Sequence, residues 1–148
     1  MGGIAGVWRF NEKALMEPNL RKYVKKMLNV MTHRGSDIIK SFTGKNVHVG
    51  FVGGKADFGQ PLTNEDNSVW AVCDGRIYNY FSLREKLQRL GHVFRTDNDV
   101  EVLVHLYEEE GASFAEYING EFAATIYDSQ KDKLFLVKDH LGLSLIHI

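Results

Sequence analysis

The feature that most constrains this chain is the way short β-rich runs alternate with turn clusters while helical periodicity is confined to a few separated stretches. Ile38 to Thr43, Val47 to Val52 and Val69 to Asp74 are rich in Val, Ile and Phe and are bounded by Gly, Asn and Lys, the pattern of strands joined by tight turns. Ile4 to Phe10 reads as another strand, and Phe122 to Tyr127 with Lys133 to Lys138 reads as a hairpin across Asp128 to Asp132. Tight turns join antiparallel neighbours, because a parallel pair needs a long crossover. The class implied is therefore α+β with antiparallel sheets.

Three stretches carry helical spacing. Asn19 to Thr32 places Leu20, Tyr23, Val24, Met27, Leu28 and Met31 on one face, and Arg21, Lys22, Lys25 and Lys26 on the other, as a solvated face would have them. Ser82-Leu83-Arg84-Glu85 has the form of a capping box opening a helix through Leu90, stopped by Gly91. Asn98 or Asp99 begins the next helix, with Val100, Leu103, Val104 and Tyr107 on one face. Its exit through Glu108, Glu109 and Glu110 opposes the helix dipole and predicts fraying. Ser113 to Ile118 reads as a short helix.

Composition narrows the function. Eighteen Lys and Arg against nineteen Asp and Glu leave a net charge of −1, which gives no footprint for nucleic acid or an anionic membrane. No run approaches the 18 or more apolar residues of a membrane span, and the start has no signal-peptide form. The lone Cys73 closes no internal disulfide, which points to a reducing, cytoplasmic setting, and its place on an apolar strand reads as a buried structural thiol. The histidines at 33, 48, 92, 105 and 140 show no metal-ligand spacing, so no metal is expected. Gly53-Gly54-Lys55 is too short for a phosphate loop.

Several strings, in order, resemble one family. They are Gly2-Gly3-Ile4-Ala5-Gly6-Val7, His33-Arg34-Gly35-Ser36-Asp37, Gln60-Pro61-Leu62-Thr63-Asn64-Glu65-Asp66 and Asp74-Gly75-Arg76-Ile77-Tyr78-Asn79-Tyr80. Asn98-Asp99-Val100-Glu101-Val102 with the following His-Leu-Tyr-Glu-Glu, Asn119-Gly120-Glu121-Phe122-Ala123 and Lys138-Asp139-His140-Leu141-Gly142 complete the set. Together they are similar to the class II glutamine amidotransferase domain at the N-terminus of asparagine synthetases. The resemblance implies an N-terminal-nucleophile fold, a four-layer αββα sandwich of two antiparallel sheets. It implies glutamine as substrate and, in a following synthetase domain, ATP and magnesium; no cofactor is expected in this domain itself. In working members a terminal Cys, freed by removal of Met, attacks the glutamine amide with its own α-amine as proton acceptor, and an oxyanion hole holds the tetrahedral intermediate.

Residue by residue, the resemblance is broken at three places. Gly2 stands where the nucleophilic Cys is expected and has no side chain. Asp74 stands where the family has an oxyanion-hole Asn, and an ionised carboxylate has no proton to donate there. Between His48 and Gln60 the family's Gly-His-Arg-Arg-Leu, whose Arg clamps the substrate carboxylate, reads Gly50-Phe51-Val52-Gly53-Gly54-Lys55 and is shorter; Lys55 offers a point charge and no bidentate fork. Gly75 is expected to serve through its backbone amide, at a turn that excludes a Cβ. Asp99, with Asn98 and Arg76 beside it, matches the substrate-binding positions, where Asp99 would meet an α-ammonium group or serve only as a helix cap.

The expectation is an amidotransferase-type domain over residues 1–142 of an ATP-dependent, amide-forming enzyme, with glutamine hydrolysis lost. β-Lactam synthetases and lasso-peptide cyclases of the same family keep such a domain without its nucleophile, as a scaffold. The competing expectations are a working asparagine synthetase in which Gly2 is a single replacement, and a non-catalytic amino-acid-binding module. Residues 143–148 do not match the family and resemble a translated sequencing adapter. They are expected to be an artefactual tail on a domain truncated at its C-terminus, with part of a sheet edge missing.

Overall fold

The computed structural model describes residues 2–9 and 20–142. Phe10 and Asn19, the expected ends of the first strand and helix, and the 143–148 tail lie outside the described residues. The chain divides into two compact units, Met1–Pro61 and Leu62–Ile148.

The first unit is built on a three-stranded antiparallel sheet of order β1-β3-β2, formed by β1 (Gly3–Trp8), β2 (Ile38–Thr43) and β3 (Val47–Gly53). The central strand β3 is buried along its whole length, which is why it reads as a continuous Val- and Phe-rich run rather than a strict alternation. The helix α1 (Leu20–Val30) lies on β1 and β3. Val24 and Leu28, four residues apart, are its two buried positions and reach down onto Gly50. Tyr23 and Met27, which share the apolar stripe in sequence, are exposed by 46% and 44%, so the seam of this helix is narrower than its pattern implies.

The second unit holds a four-stranded antiparallel sheet of order β4-β5-β6-β7: β4 (Leu62–Thr63), β5 (Val69–Ile77), β6 (Gly120–Asp128) and β7 (Lys133–Lys138). The two-residue β4 carries no periodic signal and was not expected. Helices α2 (Tyr80–Arg89) and α3 (Glu101–Glu110) supply Leu83, Leu87, Leu103, Val104 and Leu106 to one core with Val69, Ala71, Cys73, Phe122 and Ile126 of the sheet. Every residue of α3 from Glu101 to Tyr107 is buried, including Val102, His105 and Leu106, which lie outside the face named from the sequence. A helix enclosed on all sides needs partners for its polar residues, and His105 and Glu101 are therefore informative.

Three local expectations are corrected. The capping box at Ser82 does not form: α2 begins at Tyr80, and the Ser82 hydroxyl donates back to the Asn79 carbonyl at 3.0 Å while Glu85 pairs with Arg89 at 2.6 Å. A helix that starts earlier leaves Ser82 inside its first turn, where the hydroxyl bonds backward. The acidic exit of α3 stays helical through Glu110 because each carboxylate finds an external partner: Asn64 for Glu108, His92 for Glu109 and Lys86 for Glu110. The short helix expected over Ser113 to Ile118 is a 3-10 segment, Gly111–Tyr117, that runs on directly from α3 and ends before Ile118.

Candidate functional site

Gly2 belongs to the first unit and is buried just before β1. Its carbonyl accepts from Nε of Arg34, which ties the His-Arg-Gly element to the start of the chain. A Cβ at position 2 would lie 2.7 and 2.8 Å from two ring carbons of Phe51 and 2.8 Å from the Val52 carbonyl oxygen. Phe51 is fully buried. The same ring also takes the space beside Gly53, where a Cβ would come within 2.5 Å of it. The ring thus lies between two glycines, in the space where a side chain on residue 2 would begin. Lys55 opens a short turn, Lys55–Asp57, and is exposed; Asp57 turns its carboxylate back to the Gly54 amide at 2.9 Å.

The other expected positions belong to the second unit. Asp74 lies on β5 opposite Ala123 and is 6% exposed. Gly75 follows it with φ +134°, and a Cβ there would sit 2.0 Å from the Glu121 carbonyl oxygen. It is within a strand rather than at a turn, but the backbone reason is the expected one: only glycine allows β6 to come so close. Asp99 is not the cap of α3. Nor is Asn98: α3 begins at Glu101 with Val100 as its N-cap and no side-chain cap bond, and Asn98 Oδ1 accepts from the Val100 amide at 2.9 Å just before the helix. Asp99 Oδ2 instead accepts from the Ile77 amide at 2.9 Å, and Oδ1 lies 3.8 Å from the Arg76 guanidinium. Asp99 thus lies against the end of β5, which carries Asp74, Gly75 and Arg76, and already has a backbone donor and a cation.

A family profile described as a glutamine amidotransferase domain matches residues 1–147. The chain is 33% identical over 152 residues to asparagine synthetase [glutamine-hydrolyzing] 1 of Bacillus subtilis, covering 99% of this chain and 24% of that protein. It is 46% identical over 84 residues to asparagine synthetase [glutamine-hydrolyzing] 2 of the same organism, covering 57% of this chain and 11% of that protein. This chain is a glutamine amidotransferase domain of the asparagine synthetase family. In fold it resembles the glutamine phosphoribosylpyrophosphate amidotransferase from B. subtilis complexed with ADP and GMP, with a TM-score of 0.72 at 20% identity over 97% of this chain and 38% of that one. Its two antiparallel sheets flanked by helices are thus those of the N-terminal-nucleophile class.

This glutamine amidotransferase domain has its one cysteine at position 73, buried and far along the chain from the terminus. It also contains a cluster that sequence spacing did not reveal. Glu65 from the β4–β5 loop, His92 from the segment after α2, and His105 and Glu108 from α3 bring one donor atom each within 4.8 Å of one another. Only His105 and Glu108 are near neighbours in sequence, three residues apart on one helical face, and that pair was the available signal. Beneath them Glu101 is 1% exposed and accepts from the Arg95 and Thr96 amides at 2.7 and 2.8 Å. Burial pushes the Glu101 carboxyl up, but His105, those amides and the Thr96 hydroxyl outweigh it and hold it down to about 2.

Proposed function

We propose that this domain does not hydrolyse glutamine and serves as the scaffold half of an ATP-dependent, amide-forming ligase, a cytoplasmic enzyme whose ATP and magnesium are bound by a synthetase domain outside this chain. The observation that carries this is the Phe51 ring lodged where a side chain on residue 2 would start. A single loss of cysteine would leave a vacant site around position 2. Here Phe51 stands within the segment that departs from the family's Gly-His-Arg-Arg-Leu, and its ring fills the space.

The chemistry of the second unit supports the same view. Hydrolysis needs a nucleophile and a donor for the developing oxyanion, and loss of one such donor costs about 2.7–4 kcal/mol. At position 74 a carboxylate replaces the amide donor and brings negative charge toward an atom that is itself becoming negative. At position 76 the Arg guanidinium faces Asp99 at 3.8 Å. A substrate ammonium approaching Asp99 would meet a cation already there, so affinity for free amino acids falls along with catalysis. The same contact disfavours an amino-acid sensor built on Asp99.

Titration calorimetry with L-glutamine on the full chain, paired with an ammonia-release assay on Gly2→Cys, tests this. Flat heats and no ammonia from the variant are expected. Saturable glutamine binding, with ammonia released once the cysteine is installed, would show a working site that lacks only its nucleophile.

A further inference from the structure

We propose that Glu65, His92, His105 and Glu108 form a binding site for one divalent transition-metal ion of the zinc type, which fastens the β4–β5 loop and the segment after α2 to helix α3. Nδ1 of His92 lies 3.5 Å from Glu65 Oε1 and 3.7 Å from Glu108 Oε2. Nδ1 of His105 lies 3.4 Å from Glu65 Oε2 and 3.3 Å from Glu108 Oε2. The His105–Glu108 contact is a long hydrogen bond, and the other three exceed charge-assisted ones, which run at about 2.7–2.9 Å. The four separations are close to the roughly 3.3–3.6 Å edges of a tetrahedron with bonds of about 2.0–2.2 Å. Glu65, however, meets the two rings through different oxygens and the four donors lie within 4.8 Å of one another, so an ion would draw them together.

Three of the four donors are also held from behind. The Val93 amide donates to Glu65 Oε1 at 2.8 Å, and the Asn64 side-chain amide donates to Glu108 Oε1 at 2.8 Å. The far nitrogen of His92 meets Glu109 at 2.9 Å. The far nitrogen of His105 is buried without a hydrogen-bond partner, its nearest carboxylate being Glu101 at 3.9 Å. Glu109 behind His92 is the kind of outer carboxylate common around metal-bound histidine. A metal would displace any proton from the two Nδ1 atoms, after which all four inward atoms are acceptors.

Charge leads to the same conclusion. Four carboxylates, of Glu65, Glu101, Glu108 and Glu109, surround two imidazoles. With both rings neutral, as ligation requires, the four carboxylates carry −4, of which one divalent ion offsets half. Two imidazoles and two carboxylates suit zinc better than calcium or magnesium, which prefer all-oxygen shells. The side chains of His105 and His92 are 1% and 12% exposed, those of Glu108 and Glu65 29% and 36%. The ion would enter from the carboxylate side and close a structural site rather than an open catalytic one.

The test uses the untagged full chain, stripped with a chelator and desalted, then titrated with zinc chloride, with cobalt chloride as the spectroscopic probe. The expected result is one equivalent bound, visible cobalt bands of tetrahedral intensity, and a melting temperature that zinc raises and chelator lowers. His92→Ala and Glu108→Gln, both partly exposed, should each weaken zinc binding by at least about 10-fold, the lower bound for losing even an outer partner. Glu110→Gln, whose carboxylate faces Lys86 instead, should bind as the parent does. Less than one equivalent of zinc, cobalt spectra of an octahedral aquo type, or equal affinity in the two ligand variants overturns the proposal and leaves an ion-pair cluster. The wild-type cobalt spectrum decides the matter even if a variant fails to fold.

Discussion

Restoring a side chain at position 2 should destabilise the protein, and the structure allows the size to be estimated. In Gly2→Cys the new Cβ comes within 2.7 and 2.8 Å of Phe51 ring carbons and 2.8 Å of the Val52 carbonyl oxygen. All three are inside the 3.0 Å that Cβ contacts do not reach, and one is backbone of the central strand, which no rotamer change can move. The main chain of residue 2 cannot easily slide outward, because Arg34 holds its carbonyl and Gly3 is already in register with Val52. Overpacking of this kind costs about 1–3 kcal/mol, and a central value of about 2 is expected here. The assay is urea denaturation of the parent, Gly2→Cys, Phe51→Leu and the double variant under reducing conditions. Phe51→Leu removes the obstructing ring edge, so the double variant should be less destabilised than the sum of the singles by at least about 1 kcal/mol. A Gly2→Cys midpoint equal to the parent's, or strict additivity, would refute the claim that Phe51 occupies the space of the lost nucleophile.

Other perturbations have separable outcomes. Gly75→Ala combines a φ of +134° with a Cβ 2.0 Å from the Glu121 carbonyl, and should cost roughly 2–5 kcal/mol from strain and overpacking together, read as a fall in melting temperature. Asp99→Ala leaves the buried Ile77 amide without its acceptor and should cost about 1–3 kcal/mol. Arg76→Ala, whose side chain is 56% exposed, should change stability by less than about 1 kcal/mol; a larger effect would show Arg76 to be a structural anchor. Burial pushes the Asp128 carboxyl up, but the Lys131 amide, the Tyr107 hydroxyl and the Lys131 ammonium outweigh it and hold it below its ordinary value. A group depressed on folding contributes stability above its unfolded pKa and loses it as pH falls through the folded one. Asp128→Asn should therefore flatten the acid limb of a stability-against-pH curve, while an unchanged slope would count against the carboxylate's part in it.

Much of the fold was legible because its signals are local. Val47 to Val52, the hairpin at Asp128 to Asp132 and the stripe through Val24 and Leu28 each report their own element, and the structure places strands and a helix there. The misses have a common physical cause: they depend on what a residue meets, which periodicity does not encode. β4 is two residues long and exists because Leu62 and Thr63 pair with Ala71 and Trp70. Ser82 looked like a cap, yet Tyr80 and Phe81 had already entered the helix. His105 fell outside the expected apolar face of α3 and proved wholly enclosed, which is what makes its polar partners consequential.

The candidate site divides the same way. Gly2, Asp74 and the altered segment around Phe51 could be read from the order of motifs alone, because each is a change of residue type at a recognisable place. The filling of position 2 by an aromatic ring, and the pairing of Arg76 with Asp99, required coordinates. The Glu65, His92, His105 and Glu108 cluster was invisible because its donors come from three segments whose spacing matches no ligand pattern.

The most direct single measurement is ammonia release from L-glutamine by the unmodified polypeptide, at saturating substrate and against a heat-inactivated blank. Production indistinguishable from the blank is the expected result, since no thiol stands at the start of the chain and a carboxylate occupies the position of the oxyanion donor. Turnover at an enzyme's pace would mean that some other group performs the attack, and the scaffold role would be wrong.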